Sequence, residues 1–241
     1  MPKGNRGGQG YQTAAQSVPN YNTQTTQVGS FGRAYSPMTN GQLNQAYQQS
    51  RFAINNADIN VKYAVLQYIR QDIDASGHSP SQNLNHKLET GGTLTQNEER
   101  MMRNLDKGMT PLGQDTVLYR ADHATGIMNK LGITGWEKMT QSQLTAAVVG
   151  KTFTENKFLS TSTSTQGNPF ITGAQSGGRS AMLTIKTPAK TQAIIGNPKQ
   201  NEAVLARGQQ VKILSARFTG QTAYPRGGGA YPVIAFDVEL L

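Results

Sequence analysis

After residue 40 the apolar residues of the chain recur with a helical period. Leu43, Ala46, Tyr47, Ala53 and Ala57 outline one amphipathic helix. Val61, Ala64, Val65, Tyr68 and Ile69 fall at i, i+3, i+4, i+7 and i+8 and outline a second, stopped near Gly77. A third opens with Thr95 and Glu98, the spacing in which a side chain and a backbone N–H cap each other, and ends at Gly108. Its Met101, Met102 and Leu105 are core-filling positions. A fourth repeats that spacing at Thr140 and Gln143 and runs through Leu144, Ala147 and Val148 to Gly150. From residue 116 the pattern changes to short runs rich in β-branched and aromatic residues, separated by Gly, Pro and Asn. These predict strands at Thr116–Asp122, Phe153–Thr161, Ala181–Thr187, Thr191–Ile195, Val204–Ala206, Gln210–Phe218 and Tyr231–Leu241. Helices first and strands afterwards predict an α+β fold, N-terminal helices packed on a mostly antiparallel β-sandwich, and not the alternating units of a dinucleotide-binding parallel sheet.

Residues 1–40 follow neither period. They contain no Asp, Glu, Leu or Ile, only three charges (Lys3, Arg6, Arg33), and much Gly, Gln, Asn, Ser and Thr. Too little apolar surface is present to offset the entropy of ordering them, so the expected division is a disordered tail over 1–40 and one domain over 41–241. The 241 residues suffice for a sizeable core without staples, and the absence of cysteine excludes disulfides, thiolate metal sites and thiol nucleophiles. A net charge of +9 favours an anionic ligand or partner without choosing among nucleotide, nucleic acid and lipid. No apolar run approaches the length of a membrane span and no secretory signal is visible. The expectation is a soluble monomer without membrane contact, cytoplasmic or delivered into a target cell, phage delivery being one route.

Common nucleotide and hydrolase motifs fail. Gly150-Lys151-Thr152 ends like a phosphate-binding loop, but Thr145 occupies the position of the required glycine. His78, His86 and His123 lack metal spacing, so no metal is expected. There is no Gly-x-Ser-x-Gly elbow. What stands out is polar residues at strand ends: Arg120 closing Val117-Leu118-Tyr119, the hydroxyls of Ser160-Thr161-Ser162 after Phe158-Leu159, and Gln200-Asn201-Glu202 before Val204-Leu205. A planar guanidinium suits a diphosphate, and Gln200 and Glu202, two apart on an extended chain, face one side. Each alone is ordinary: a surface ion pair, solvated hydroxyls, loop chemistry.

In this order the three resemble the Arg, Ser-Thr-Ser and Gln-x-Glu motifs of the bacterial mono-ADP-ribosyltransferases, and among them the Rho-modifying exoenzymes. The resemblance covers residues 41–241 and implies helices before a β-sandwich that holds NAD as co-substrate in a central cleft. It implies that Arg120 binds the NAD phosphates, that Ser160 orients the catalytic carboxylate of Glu202 and the nicotinamide ribose, and that Gln200 faces the acceptor. Thr161 and Ser162 belong to the same NAD-binding motif. Ser176-Gly177-Gly178-Arg179 keeps the basic residue of a further motif, with Phe170 standing in for the aromatic that Ser176 lacks. The implied reaction builds positive charge on the ribose as nicotinamide departs, which a carboxylate stabilises. No aromatic occurs in Gly196–Lys199, which argues against a Rho-type acceptor, and an amide at Gln200 offers both a donor and an acceptor, unlike a second glutamate. The expected acceptor is therefore a non-arginine side chain of a protein. A guanine base in nucleic acid, or a non-catalytic virion or interaction protein on the same fold, are the alternatives.

Overall fold

The computed structural model describes residues 32–69, 77–165, 178–196, 201–224 and 229–241, with the backbone of residues 27–28. A short hairpin, β1 (Gln27–Val28) and β2 (Ala34–Tyr35), precedes four helices: α1 (Asn40–Asn56), α2 (Ile59–Ile69), α3 (Pro80–Thr90) and α4 (Gln96–Gly108). Then follow β3 (Thr110–Pro111), β4 (Thr116–Asp122), α5 (Ala124–Lys130), a 3-10 turn at Trp136–Lys138 and α6 (Gln141–Val148). The remainder is β5 (Thr152–Glu155), β6 (Leu159–Ser162), β7 (Ala181–Thr187), β8 (Gln192–Ile195), β9 (Glu202–Leu205), β10 (Gln209–Ala223) and β11 (Tyr231–Leu240). Nine strands form one sheet in the order β3-β8-β9-β6-β4-β7-β11-β10-β5, antiparallel except for the parallel pair β7 and β11.

Alternation along the strands sorts the core onto two faces. Phe158, Ile194 and Val204 join Ala64, Val65 and Tyr68 of α2, Leu84 of α3 and Met101 and Leu105 of α4. Their neighbours Leu159, Ala193, Ile195, Ala203 and Leu205 turn the other way, into a cluster with Leu43 of α1, Ile127 of α5, Trp136, and Leu144 and Val148 of α6. The period of 2 in each strand thus places α2, α3 and α4 on one face of β6, β8 and β9. Four helices begin with reciprocal caps: Thr39 with Gln42, Ser79 with Gln82, Thr95 with Glu98 and Thr140 with Gln143. The last two are those legible in the hydrophobic pattern.

The predicted α+β order is observed, with three differences. The run 153–161 is two strands in different ladders, β5 pairing with β10 and β6 with β4 and β9, so the chain must cross the sheet between them. Helices α3 and α5 carry too few apolar positions to announce themselves by period. Within the stretch expected to be a tail, Tyr35 is fully buried and its hydroxyl donates to Glu239 Oε1 at 3.2 Å. The Ser36 carbonyl also accepts from Val117 N at 3.2 Å and from Thr116 Oγ1 at 3.1 Å. One buried aromatic anchors the approach to α1 in a segment whose average composition is that of a tail.

Removing residues 1–39 is expected to lower the melting temperature by roughly 6 °C or more relative to removing residues 1–31, since only the longer deletion takes away Tyr35. Equal melting temperatures for the two truncations, measured by calorimetry, would refute this anchoring.

Candidate active site

Strands β4 and β6 pair at one position, Tyr119 opposite Ser162. Beside that point lies a cavity of about 450 Å³, bounded by α2, α3, β4, β6 and the start of β9. A sheet that opens leaves backbone groups to be satisfied by side chains. Arg120 does so from β4, where its Nη1 donates to the Ser160 carbonyl at 2.6 Å while Nε donates to Asp122 Oδ2 at 2.8 Å. Asn85 of α3 does so for Phe158, accepting from its N–H at 3.1 Å and donating to its carbonyl at 3.2 Å.

A ladder of alternating charge runs beside the cavity, which Glu89, Arg120, Lys157 and Arg179 line. Arg120 pairs with Asp122, which also faces Lys157 at 3.9 Å and Arg179 at 4.0 Å; Lys157 pairs with Glu89 at 2.7 Å. Glu89 meets Lys130 at 3.0 Å, and Lys130 meets Glu155 at 2.8 Å. Burial opposes the charge on Asp122, but Arg120, Lys157 and the His123 N–H overcome it and hold the carboxyl far below the ordinary carboxylate range. Burial works against the charge on Arg120 as well, and Asp122, with Glu155 and Tyr68, overcomes it and raises the guanidinium above its ordinary value. Arg120 thus lines the cavity with Nε and Nη1 committed to Asp122 and the Ser160 carbonyl.

Glu202 opens β9, in register with Ser162 and two residues from Val204, which is opposite Ser160. Period 2 therefore puts Ser160, Ser162 and Glu202 on the face covered by α2 and α3. Asn201, immediately before it, takes a left-handed φ of 52°, a conformation that asparagine tolerates, and its carbonyl accepts from Thr163 N at 2.8 Å. Gly196 packs so close that an added Cβ would meet the Glu202 carbonyl at 3.3 Å and Oε2 at 3.6 Å. Burial raises the Glu202 carboxyl above its ordinary value of 4.5, and a hydrogen bond from the Ser160 side chain works in the opposite direction.

The structure brings together Arg120, Ser160, Thr161, Ser162, Arg179 and Glu202 around the cavity. The Thr161 hydroxyl, however, donates to the Ala203 carbonyl at 2.6 Å, and that of Ser162 to the Ser164 carbonyl at 2.6 Å. The Ser160 side chain, on the same face of the sheet, favours the charged form of Glu202. Phe170 and Gln200 lie outside the described residues. The α3 residues Ser79, Ser81, Gln82, Asn85, His86 and Glu89 line the cavity and had no counterpart in the sequence reading, although Ser79 and Gln82 show the same capping spacing as Thr95 and Glu98. Lys157, Asp122 and Tyr68 were likewise unassigned.

A family model described as ADP-ribosyltransferase exoenzyme matches residues 44–225. The chain belongs to this family. Its structure is similar to that of the Clostridium limosum C3 exoenzyme, with 19% identity, a TM-score of 0.57 and coverage of 88% of this chain and 99% of that one. Plx2a, an ADP-ribosyltransferase toxin from Paenibacillus larvae, shows 15% identity, a TM-score of 0.57 and coverage of 82% and 92%. C3stau2 from S. aureus, solved with NAD, shows 15% identity, a TM-score of 0.55 and coverage of 85% and 96%. A comparison with curated protein sequences gives no match. Among the described residues, no helix of this exoenzyme-family member is long and apolar enough to cross a membrane.

Two predictions follow from the geometry. Arg120→Lys should weaken NAD binding about tenfold or more, because a point charge cannot hold Asp122 and the Ser160 carbonyl while presenting a flat edge to a diphosphate. Unchanged affinity by calorimetry would confine Arg120 to a structural ion pair. For Glu202, the folded-state pKa lies above the unfolded one, so between the two values the native state holds more protons and stability falls as pH rises. Glu202→Gln should therefore leave the melting temperature at pH 7 equal or slightly higher, and should abolish turnover with NAD affinity changed by no more than a few-fold. Near-normal turnover in that variant would remove Glu202 from the chemistry.

Proposed function

We propose that this exoenzyme-family protein transfers ADP-ribose from NAD to a non-arginine side chain of a protein acceptor, releasing nicotinamide. The observation that carries the reading is a half-buried carboxylate, Glu202, in one cavity with Ser160 and Arg120. The donor set fits NAD: guanidinium groups at Arg120 and Arg179 and an ammonium at Lys157 suit a diphosphate, while the hydroxyls of Ser79 and Ser81 suit polar sugar edges. The cavity volume lies within the ordinary range for small-molecule sites. NAD bound there supplies the electrophilic ribose carbon through loss of nicotinamide.

The residues divide that work. Arg120, locked by Asp122 and the Ser160 carbonyl, offers its outer edge to the phosphates, so remote binding energy is available to position the reacting end. Glu202, held on a strand and charged at neutral pH in spite of its raised pKa, stabilises positive charge that develops on the sugar. Ser160 fixes the carboxylate rotamer. Gln200, two residues before Glu202, supplies an amide to the acceptor rather than a carboxylate, which pairs poorly with the demand of a guanidinium for two charged oxygens.

Labelled NAD incubated with cell extract should give label that is released by protease and resists nuclease. Nuclease-sensitive label would replace the protein acceptor by a nucleic acid base. Gln200→Ala should lose transfer to that acceptor while keeping slow NAD hydrolysis, since water needs no recognition and Glu202, Ser160 and Arg120 remain. Equal losses in hydrolysis and transfer would place Gln200 in the NAD site instead.

A further inference from the structure

Glu89 of α3 is a second carboxylate that lines the cavity, far along β6 from Glu202. Glu202 is paired with Ser162, the last residue of that strand. Followed backwards, the chain passes Ser160, whose carbonyl holds Arg120, then Phe158, held by Asn85, and then Lys157, which meets Glu89. The strand from Ser162 to Leu159 alone spans about 10 Å, and Lys157 stands two residues beyond it. On α3, Glu89 lies one helical turn after Asn85 and so shares its face. Arg120 therefore joins β6 between the two carboxylates.

The three anions of the charge ladder are not equally committed. Asp122 uses both oxygens, Oδ2 for Arg120 Nε and Oδ1 for the His123 N–H, each at 2.8 Å. Glu155 also uses both, accepting from Lys130 Nζ at 2.8 Å on each. Glu89 spends one oxygen on two cations: Lys157 Nζ donates to Oε1 at 2.7 Å, and Lys130 Nζ stands 3.0 Å from the same atom. Among the described residues no hydrogen bond is made to its Oε2, which keeps its full capacity to accept. The Glu89 side chain is 31% exposed against 9% for Lys157 and 20% for Lys130, so the carboxylate is more open to the cavity than the cations that hold it. Burial opposes its charge, but Lys157 and Lys130 overcome this and hold the carboxyl below its ordinary range, ionised at neutral pH.

We propose that Glu89 binds the adenosine ribose of NAD, its free Oε2 accepting from the 2′-hydroxyl, and that the same charge makes the site refuse NADP. The proposal rests on the reading of Glu202 as the carboxylate beside the nicotinamide ribose. A dinucleotide has two riboses joined by a diphosphate. With the reacting ribose at Glu202 and the diphosphate at Arg120, the second ribose falls beyond Arg120, toward Lys157 and Glu89. A ribose hydroxyl donates to an ionised carboxylate, which can only accept, and this is the device by which dinucleotide sites of another fold select NAD. NADP carries a phosphate on that same 2′-oxygen, an anion without a proton to offer, and it would set like charges against each other. Lys157 and Lys130 already bind Oε1 and cannot turn to the phosphate without stranding Glu89.

Calorimetry on the full chain should find NADP bound at least about thirtyfold more weakly than NAD, and NAD lacking the adenosine 2′-hydroxyl about tenfold more weakly. Glu89→Gln keeps the size of the side chain and removes its charge. The affinity for NADP should then rise about tenfold and that for NAD fall a few-fold, so the ratio between them narrows. Both ligands meet the same folded protein, so stability lost by stranding Lys157 cancels in the ratio. Where that variant does not fold, the 2′-deoxy analogue decides on the parent, because it alters only the ligand. Three results overturn the proposal: NADP bound as tightly as NAD, which would give the 2′-phosphate to Arg179; equal affinities for NAD and its 2′-deoxy analogue; or an unchanged ratio in Glu89→Gln. NAD binding without such discrimination overturns the proposal alone, whereas a parent that binds none of the three dinucleotides overturns the functional reading with it.

Discussion

A sheet that opens to admit a ligand must satisfy the backbone groups it exposes, and here two side chains do this at the edge of the cavity. Arg120 takes the Ser160 carbonyl, and Asn85 takes both backbone groups of Phe158. A buried carbonyl or N–H without a partner would cost about 1–3 kcal/mol, so the gap between β4 and β6 is held open by these bonds and would otherwise favour closure or unfolding. The consequence for function is direct. The residues that hold the gap are the residues that face it, so binding groups arrive already fixed and little ordering remains when a ligand enters.

The charge ladder beside the cavity follows from the same demand. Arg120, Lys157 and Lys130 alternate with Asp122, Glu89 and Glu155, three cations against three anions. Taking six charges out of water is tolerable only because each has an opposite neighbour, and removing one member would cost about 3–5 kcal/mol by stranding the next. The ladder balances its own charges, so Arg120 and Lys157 offer an anion directional donors, and further positive charge comes from groups at the rim. Arg179 is such a group, 41% exposed and 4.0 Å from Asp122. The ladder also ties α3, β4, β5 and α5 together through side chains, so the helix that lines the cavity is fastened to the sheet at its far end.

What the sequence made legible was periodic or ordered along the chain. Thr95 with Glu98 and Thr140 with Gln143 announced helices because a hydrophobic stripe followed each. Ser79 with Gln82 makes the same cap, yet α3 buries only Leu84, because its other face is the polar lining of the cavity. A helix that serves a site loses the amphipathic pattern by which helices are recognised. Arg120, Ser160 and Glu202 were legible through the order of their motifs. Tyr68 and Asn85 were not, since no spacing relates positions 73 or more residues apart, and Tyr68 fills a core position as any aromatic would. Tyr35 was hidden for the opposite reason: a single buried ring does not alter the average of forty polar residues.

In the proposed reaction, the placement of Glu202 would separate chemistry from recognition. It is the first residue of β9, fixed by the register with β6, by the left-handed turn at Asn201 and by the close approach of Gly196. Its carboxylate therefore has the precision of a strand, where a shift of a fraction of an ångström would misdirect the charge it offers. Gln200 belongs by sequence to the connection between β8 and β9, and connections tolerate substitution that strands do not. On the proposed reading, a glutamine there in place of a carboxylate would change which acceptor is favoured without altering the strand that carries Glu202. If Glu202 activates the donor and Gln200 meets the acceptor, donor activation would thus stay constant in such a fold while acceptor choice varied two residues away.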